Sequence, residues 1–215
     1  MLMIIWLAFA LSLMAALLAF YFTAKNKALR LACKGDTTSI ALATAVFCHM
    51  RGGGLPAGSF IICAAALFAL ADVLLNLKFL YGVAVFALGH IALIIWLLAQ
   101  GAPLHYPSFI ILSFLSAAAL YALSVFLFRK TIFRAVPQSI AMLAYAAILA
   151  LMTGCSLALP YFGGIRYLPF TLGALLFMIS DLTVARGILV GMAKKWHILG
   201  MVIYESAVML MALCA

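Results

Sequence analysis

The chain has 215 residues, of which 70% are hydrophobic and 8% charged, and a formal net charge of +9. Soluble domains are nearer half apolar and a quarter charged, so a chain this apolar cannot cover itself with polar surface, and lipid is its expected solvent. The positive charge does not mark a nucleic-acid binder, because the basic residues stand singly or in small groups between apolar runs, as residues that orient membrane spans do.

In chain order, the apolar runs predict eight transmembrane helices at 2–23, 36–50, 56–76, 80–99, 107–128, 137–157, 167–187 and 197–214. Backbone groups in hydrocarbon must be satisfied within their own segment, which requires helices here, since the runs are continuous rather than alternating. The first run, Met1 to Phe22, has no basic leader and is too long for the core of a signal peptide, so it is expected to be a span. Chain breakers separate later spans: Gly52-Gly53-Gly54-Leu55-Pro56, Gly101-Ala102-Pro103, and the stretch from Pro160 to Pro169. No length remains for an aqueous domain, so a single eight-helix domain over 1–215 is expected. The cysteines, Cys33, Cys48, Cys63, Cys155 and Cys214, form no C-x-x-C pair and predict neither a disulfide framework nor a zinc site.

Loop charges test the number of spans. With the N-terminus outside, the inner loops carry Lys25, Lys27, Arg30, Lys34, Lys78, Arg129, Lys130, Arg134, Arg186, Lys194 and Lys195, and the outer loops only Arg51 and Arg166. Removing the short second span would leave six basic residues inside against seven outside. The positive-inside rule therefore favours eight spans with both termini outside. An internal repeat is also expected. Leu67-Phe68-x-x-x-Asp72 in span 3 matches Leu176-Phe177-x-x-x-Asp181 in span 7, and each half opens with a span followed by a basic loop, 25–34 and 129–134. Residues 1–100 and 107–215 then read as a parallel 4+4 duplication.

The acidic residues are only four: Asp36, Asp72, Asp181 and Glu205. A charge at mid-bilayer costs about 2.5–3.5 kcal/mol on insertion scales, so an intramembrane acid is a functional candidate by default. The topology puts Asp72 and Asp181 at matching depth near the inner face, where the two carboxyls are expected to face one cavity. The competing structural reading is an interhelical pair with Lys78, Asn76, Arg186 or the loop bases. His90 lies midway along span 4 and Glu205 follows Tyr204 in span 8; each is either a packing residue or part of a site. Lys34 and Asp36 are expected at the membrane edge, with Asp36 at a helix start and Lys34 available to a lipid phosphate. His49, His105 and His197 sit at span edges without a clear signal. Sequence motifs of serine hydrolases, zinc proteases, P-loop enzymes and haem proteins are missing.

These residues together resemble the YhhN family of lysoplasmalogenase-like membrane proteins over nearly the whole chain. The resemblance rests on Ala71-Asp72-Val73-Leu74-Leu75, on Phe79-x-x-Gly82-x-x-x-Phe86-x-x-Gly89-His90, and on Phe177-x-x-Ser180-Asp181, with Lys34, Tyr145 and Tyr204 at further family positions. The chain departs from the family pattern at Gly35, Ala71, Ile91-Ala92-Leu93 and Glu205. The resemblance implies hydrolysis of the vinyl-ether bond of a lysoplasmalogen to a fatty aldehyde and a glycerophospho-alcohol. Such a bond breaks by protonation at carbon, giving an oxocarbenium ion that water traps. A protonated carboxyl and a second, ionised one suit that chemistry, as in glycosidases, and burial beside a like charge favours keeping one carboxyl protonated. Asp72 and Asp181 are the implied pair, in an order the sequence leaves open. Lys34, His90, Tyr204, Asn76 and Glu205 are the implied substrate-binding residues, a lysophospholipid is the partner, and no metal or other cofactor is required. The expected location is the inner (cytoplasmic) membrane. Two other readings remain: a proton-coupled lipid or small-molecule transporter or flippase, and a non-catalytic assembly in which the acids only pair helices.

Overall fold

A computed structural model describes residues 2–53, 56–100, 105–132, 137–191 and 193–215. Its helices are α1 (Leu2–Thr23), α2 (Lys27–Arg51), α3 (Gly58–Leu77), α4 (Phe79–Ala99), α5 (Pro107–Ile132), α6 (Pro137–Gly163), α7 (Leu168–Val190) and α8 (Lys194–Ala212), with a 3₁₀ turn, Ile165–Tyr167, leading into α7. Among the described residues six helices, α1 and α3 to α7, are long and apolar enough to cross a membrane, which makes this a multi-pass membrane protein. Helix α2 falls short because it carries Lys27, Arg30, Lys34, Asp36, Arg51 and several threonines; α8 carries Lys194, Lys195, His197 and Glu205. Both nevertheless pack within the bundle, α2 against α1, α3 and α8, and α8 against α7. Gly54, Leu55, Gly101-Ala102-Pro103 and Arg134 lie outside the described residues.

Two boundaries differ from the sequence reading. Residues 27–35 are helix rather than loop, so α2 begins nine residues before the predicted start at 36. Asn26, not Asp36, caps it: the Asn26 side chain accepts a hydrogen bond from the Ala28 N–H at 2.8 Å. Hydropathy missed this turn because its exposed face is basic and its inward face is polar or small. The second difference is at Pro160, expected in a connection but lying inside α6. A proline there removes the N–H that would serve the Ser156 carbonyl four residues earlier. The Thr171 hydroxyl on α7 donates to that carbonyl instead, at 2.6 Å. A neighbouring helix thus satisfies the freed backbone group, the condition for a proline within a membrane helix.

The core joins α2, α3, α4, α6, α7 and α8 through Ala41, Phe68, Leu93, Leu159, Phe177 and Val208. Helices α1 and α5 are peripheral and present exposed apolar side chains such as Ile4, Phe9, Phe114 and Phe126, a surface suited to lipid. Lipid tails are as apolar as leucine, so close packing rather than the hydrophobic effect must hold such helices together. Gly82 illustrates it: a Cβ there would lie 2.6 Å from both the Cα and the N of Leu75, so α4 rests directly on the backbone of α3. At the opposite end of α4, Gln100 accepts a hydrogen bond from the Tyr167 hydroxyl at 3.0 Å, and Trp96 stacks on Phe170 with centroids 4.4 Å apart. These contacts close that end of the bundle.

Candidate active site

A cavity of about 400 Å³ opens between the helices at the other end. Its lining comes from the last turns of α1 (Tyr21), α3 (Asp72, Asn76), α5 (Ser124, Phe128) and α7 (Asp181, Gly187), and from the first half of α2 (Lys34), α4 (Phe79, Phe86) and α6 (Ser139, Tyr145). Helix α8 adds His197 and Tyr204. This is the end at which α1–α2, α3–α4, α5–α6 and α7–α8 connect, through the segments that carry most of the basic residues. The wall is mostly apolar, with two carboxyls set into it.

Asp72 is 1% exposed and has partners on both oxygens. Its Oδ1 lies 2.9 Å from the Lys34 ammonium. Its Oδ2 accepts from the Thr38 hydroxyl at 2.6 Å and from the Tyr204 hydroxyl at 2.8 Å. The cation comes from α2, seven residues into the helix that hydropathy shortened, and Thr38 stands one turn further on the same face. Gly35, beside Lys34, allows this approach: a Cβ there would meet Val73 Cγ2 at 3.0 Å. A counter-ion and two hydroxyl donors are what an ionised carboxylate needs when buried. A carboxylate has about four acceptor sites, so one remains on Oδ1 for a further donor such as water.

Asp181 has a different environment. Its Oδ2 accepts from the Tyr145 hydroxyl, and no cation lies within ion-pair distance of it among the described residues. It lines the same cavity as Asp72. One cavity therefore holds two carboxyls with unequal partners.

The other predicted residues divide. Lys34, expected at a lipid phosphate, is paired with Asp72. Tyr204 lines the cavity and holds Asp72. Asn76 lines it as well, while its Nδ2 donates back to the Asp72 carbonyl at 2.9 Å. His90 is buried behind the lining. It packs edge-on against Phe177 and Tyr145, with Nδ1 2.8 Å from the Phe86 carbonyl and Nε2 without a partner among the described residues. Glu205 also lies behind the lining, 1% exposed, near Thr38 rather than beside a Lys or Arg. Asp36 lies midway along α2, away from this cavity.

Sequence reasoning missed Thr38, whose hydroxyl carries no signal among so many small residues. It also passed over His197, which forms part of the wall with its Nε2 3.3 Å from the Tyr21 hydroxyl. The i, i+4 spacing of Lys34 and Thr38 was the available clue, and it becomes visible only once residues 27–35 are known to be helical. Among the described residues, no three His, Cys, Asp or Glu side chains come together as a metal-binding group.

A model of the YhhN family matches residues 8–215. Neither the curated proteins nor the solved structures gave a match.

Proposed function

The chain belongs to the YhhN family, and from that premise we propose that it is a membrane-embedded hydrolase of vinyl-ether lysophospholipids. The observation that carries this reading is the pair of carboxyls on one cavity with unequal partners. Asp72, with Lys34, Thr38 and Tyr204 around it, is suited to remain ionised. Asp181, with only the Tyr145 hydroxyl as partner among the described residues, is suited to carry a proton.

In the proposed reaction the protonated Asp181 delivers its proton to the outer carbon of the vinyl ether. The double-bond electrons form that C–H bond, and the inner carbon becomes an oxocarbenium ion. The Asp72 carboxylate stabilises the cation and takes a proton from the water that attacks it. The resulting hemiacetal then collapses to a fatty aldehyde and a glycerophospho-alcohol. Asp72 returns its proton to the leaving glycerol oxygen as the C–O bond breaks, and Asp181 takes the hemiacetal hydroxyl proton as the aldehyde C=O forms. Both carboxyls are thereby reset, and one water is consumed for each bond broken. The alkenyl chain would lie along Phe86, Met142, Leu149 and Met178 in the cavity wall, with the headgroup toward the basic end.

Further parts of the reading concern placement. By the positive-inside rule the basic connections would lie on the cytoplasmic side, with both termini outside, and the inner membrane is the proposed location. Asp72 on α3 and Asp181 on α7 would be equivalent positions of a parallel 4+4 repeat.

The test is product release. Purified protein in detergent is incubated with a vinyl-ether lysophospholipid and fatty aldehyde is measured, with Asp72→Asn and Asp181→Asn alongside. Aldehyde from the wild type alone supports the reading. Full activity in either variant removes the two-carboxyl mechanism, and substrate flux without product in sealed vesicles would replace the hydrolase with a carrier.

A further inference from the structure

The mechanism leaves one buried acid unused. Glu205 on α8 is 1% exposed, and its Oε2 has no hydrogen-bond partner among the described residues. Its Oε1 lies 3.3 Å from Thr38 Oγ1, the same oxygen that stands 2.6 Å from Asp72 Oδ2. Among the described residues no cation lies within ion-pair distance of Glu205, and Lys34 is engaged by Asp72.

A threonine hydroxyl has one hydrogen to give and lone pairs to accept with. Between two carboxyl groups, Thr38 can donate to only one of them. The shorter contact is to Asp72, so its hydrogen belongs there. The contact with Glu205 is then a hydrogen bond only if Glu205 supplies the hydrogen. A proton on Oε1 would do so, leaving Oε2 as a neutral carbonyl oxygen, whose burial without a partner costs far less than that of an anionic one.

We propose that Glu205 is a positioning residue that stands protonated behind the cavity, donating to Thr38 so that the Thr38 hydroxyl is fixed as a donor to Asp72. The hydrogen-bond chain runs from Glu205 through Thr38 to Asp72. It sets the direction of a hydroxyl that could otherwise rotate toward the Lys34 carbonyl, 3.5 Å away. The group it meets is Thr38 of α2, which links it to Asp72 of α3 and through Asp72 to Lys34 and Tyr204. A buried acid without a counter-ion is thereby given a purpose that an apolar side chain could not serve.

The role rests on the hydrolase reading, but its physical core does not, so the test has two arms. In the first, infrared difference spectra of the purified protein are compared for wild type, Glu205→Gln, Glu205→Met and Thr38→Val. A protonated-carboxyl C=O band distinct from that of Asp181 is expected in the wild type, lost in both Glu205 variants and shifted in Thr38→Val. A spectrum unchanged by Glu205→Met overturns the proposal whether or not the protein hydrolyses lipid. In the second arm, Glu205→Gln keeps a donor and should retain kcat within about threefold, while Glu205→Met should lose about tenfold in kcat with little change in KM. Thr38→Val should match Glu205→Met, and the double variant should lose no more than either single one. Glu205→Met should unfold no more easily than wild type, because an apolar isostere replaces a buried ionisable group. An active Glu205→Met overturns the positioning role. Absence of aldehyde from the wild type, with the carboxyl band present, would sink the hydrolase reading alone.

Discussion

Replacing Lys34 with Met separates structural from catalytic roles at Asp72. The ammonium and the carboxylate are 2.9 Å apart, with side chains 12% and 2% exposed, so the pair is held away from water. Removing one member of a buried pair leaves an uncompensated charge and costs about 3–5 kcal/mol. Lys34→Met keeps an unbranched apolar stem out to Cε and strands Asp72; Asp72→Asn keeps the shape and strands Lys34. Each single variant should lose stability in that range. The double variant strands neither, so its loss should fall below that of either single one, a coupling that only interacting residues give. The assay is denaturant unfolding in detergent, followed by tryptophan fluorescence and repeated for the four members of the cycle. All three variants should release aldehyde at least a hundredfold more slowly, because an ionised, positioned carboxylate is lost in each. Strictly additive losses in stability would refute the buried pair, and activity in the double variant would refute its catalytic use.

Further predictions follow from other contacts. Tyr145→Phe deletes the hydroxyl donor to Asp181 and should lower kcat about fivefold to tenfold, the worth of one neutral hydrogen bond, measured as aldehyde release. Thr171→Val orphans the Ser156 carbonyl and should cost about 1–3 kcal/mol in the same unfolding assay. Adding Pro160→Ala restores a backbone N–H and should recover most of that loss. Gly82→Val drives a side chain into the α3 backbone near Leu75 and should destabilise by about 1–3 kcal/mol, with loss of activity because Asp72 lies one turn away.

Helix number and helical class were legible from apolar run length, since hydrocarbon leaves a chain few backbone options. Asp72 and Asp181 stood out for the same reason, because an acid within a span demands explanation. The start of α2 was not legible. Its first turns bury Cys33 and Thr37 and expose Lys27 and Arg30, a helix that hydropathy reads as loop. That error placed Lys34 at the membrane edge beside a phosphate rather than on Asp72. Pro160 misled because its compensating hydroxyl, on Thr171, comes from another helix. The unequal surroundings of the two aspartates depend on contacts between helices, so no spacing along the chain encodes them.

The most direct test is the mass of the aldehyde released in D₂O from a vinyl-ether lysophospholipid. Protonation of carbon by an acid that exchanges with solvent predicts one deuterium on the carbon next to the carbonyl, and no product from Asp181→Asn. Aldehyde without that deuterium, or a wild-type yield from Asp181→Asn, would contradict proton delivery by this residue.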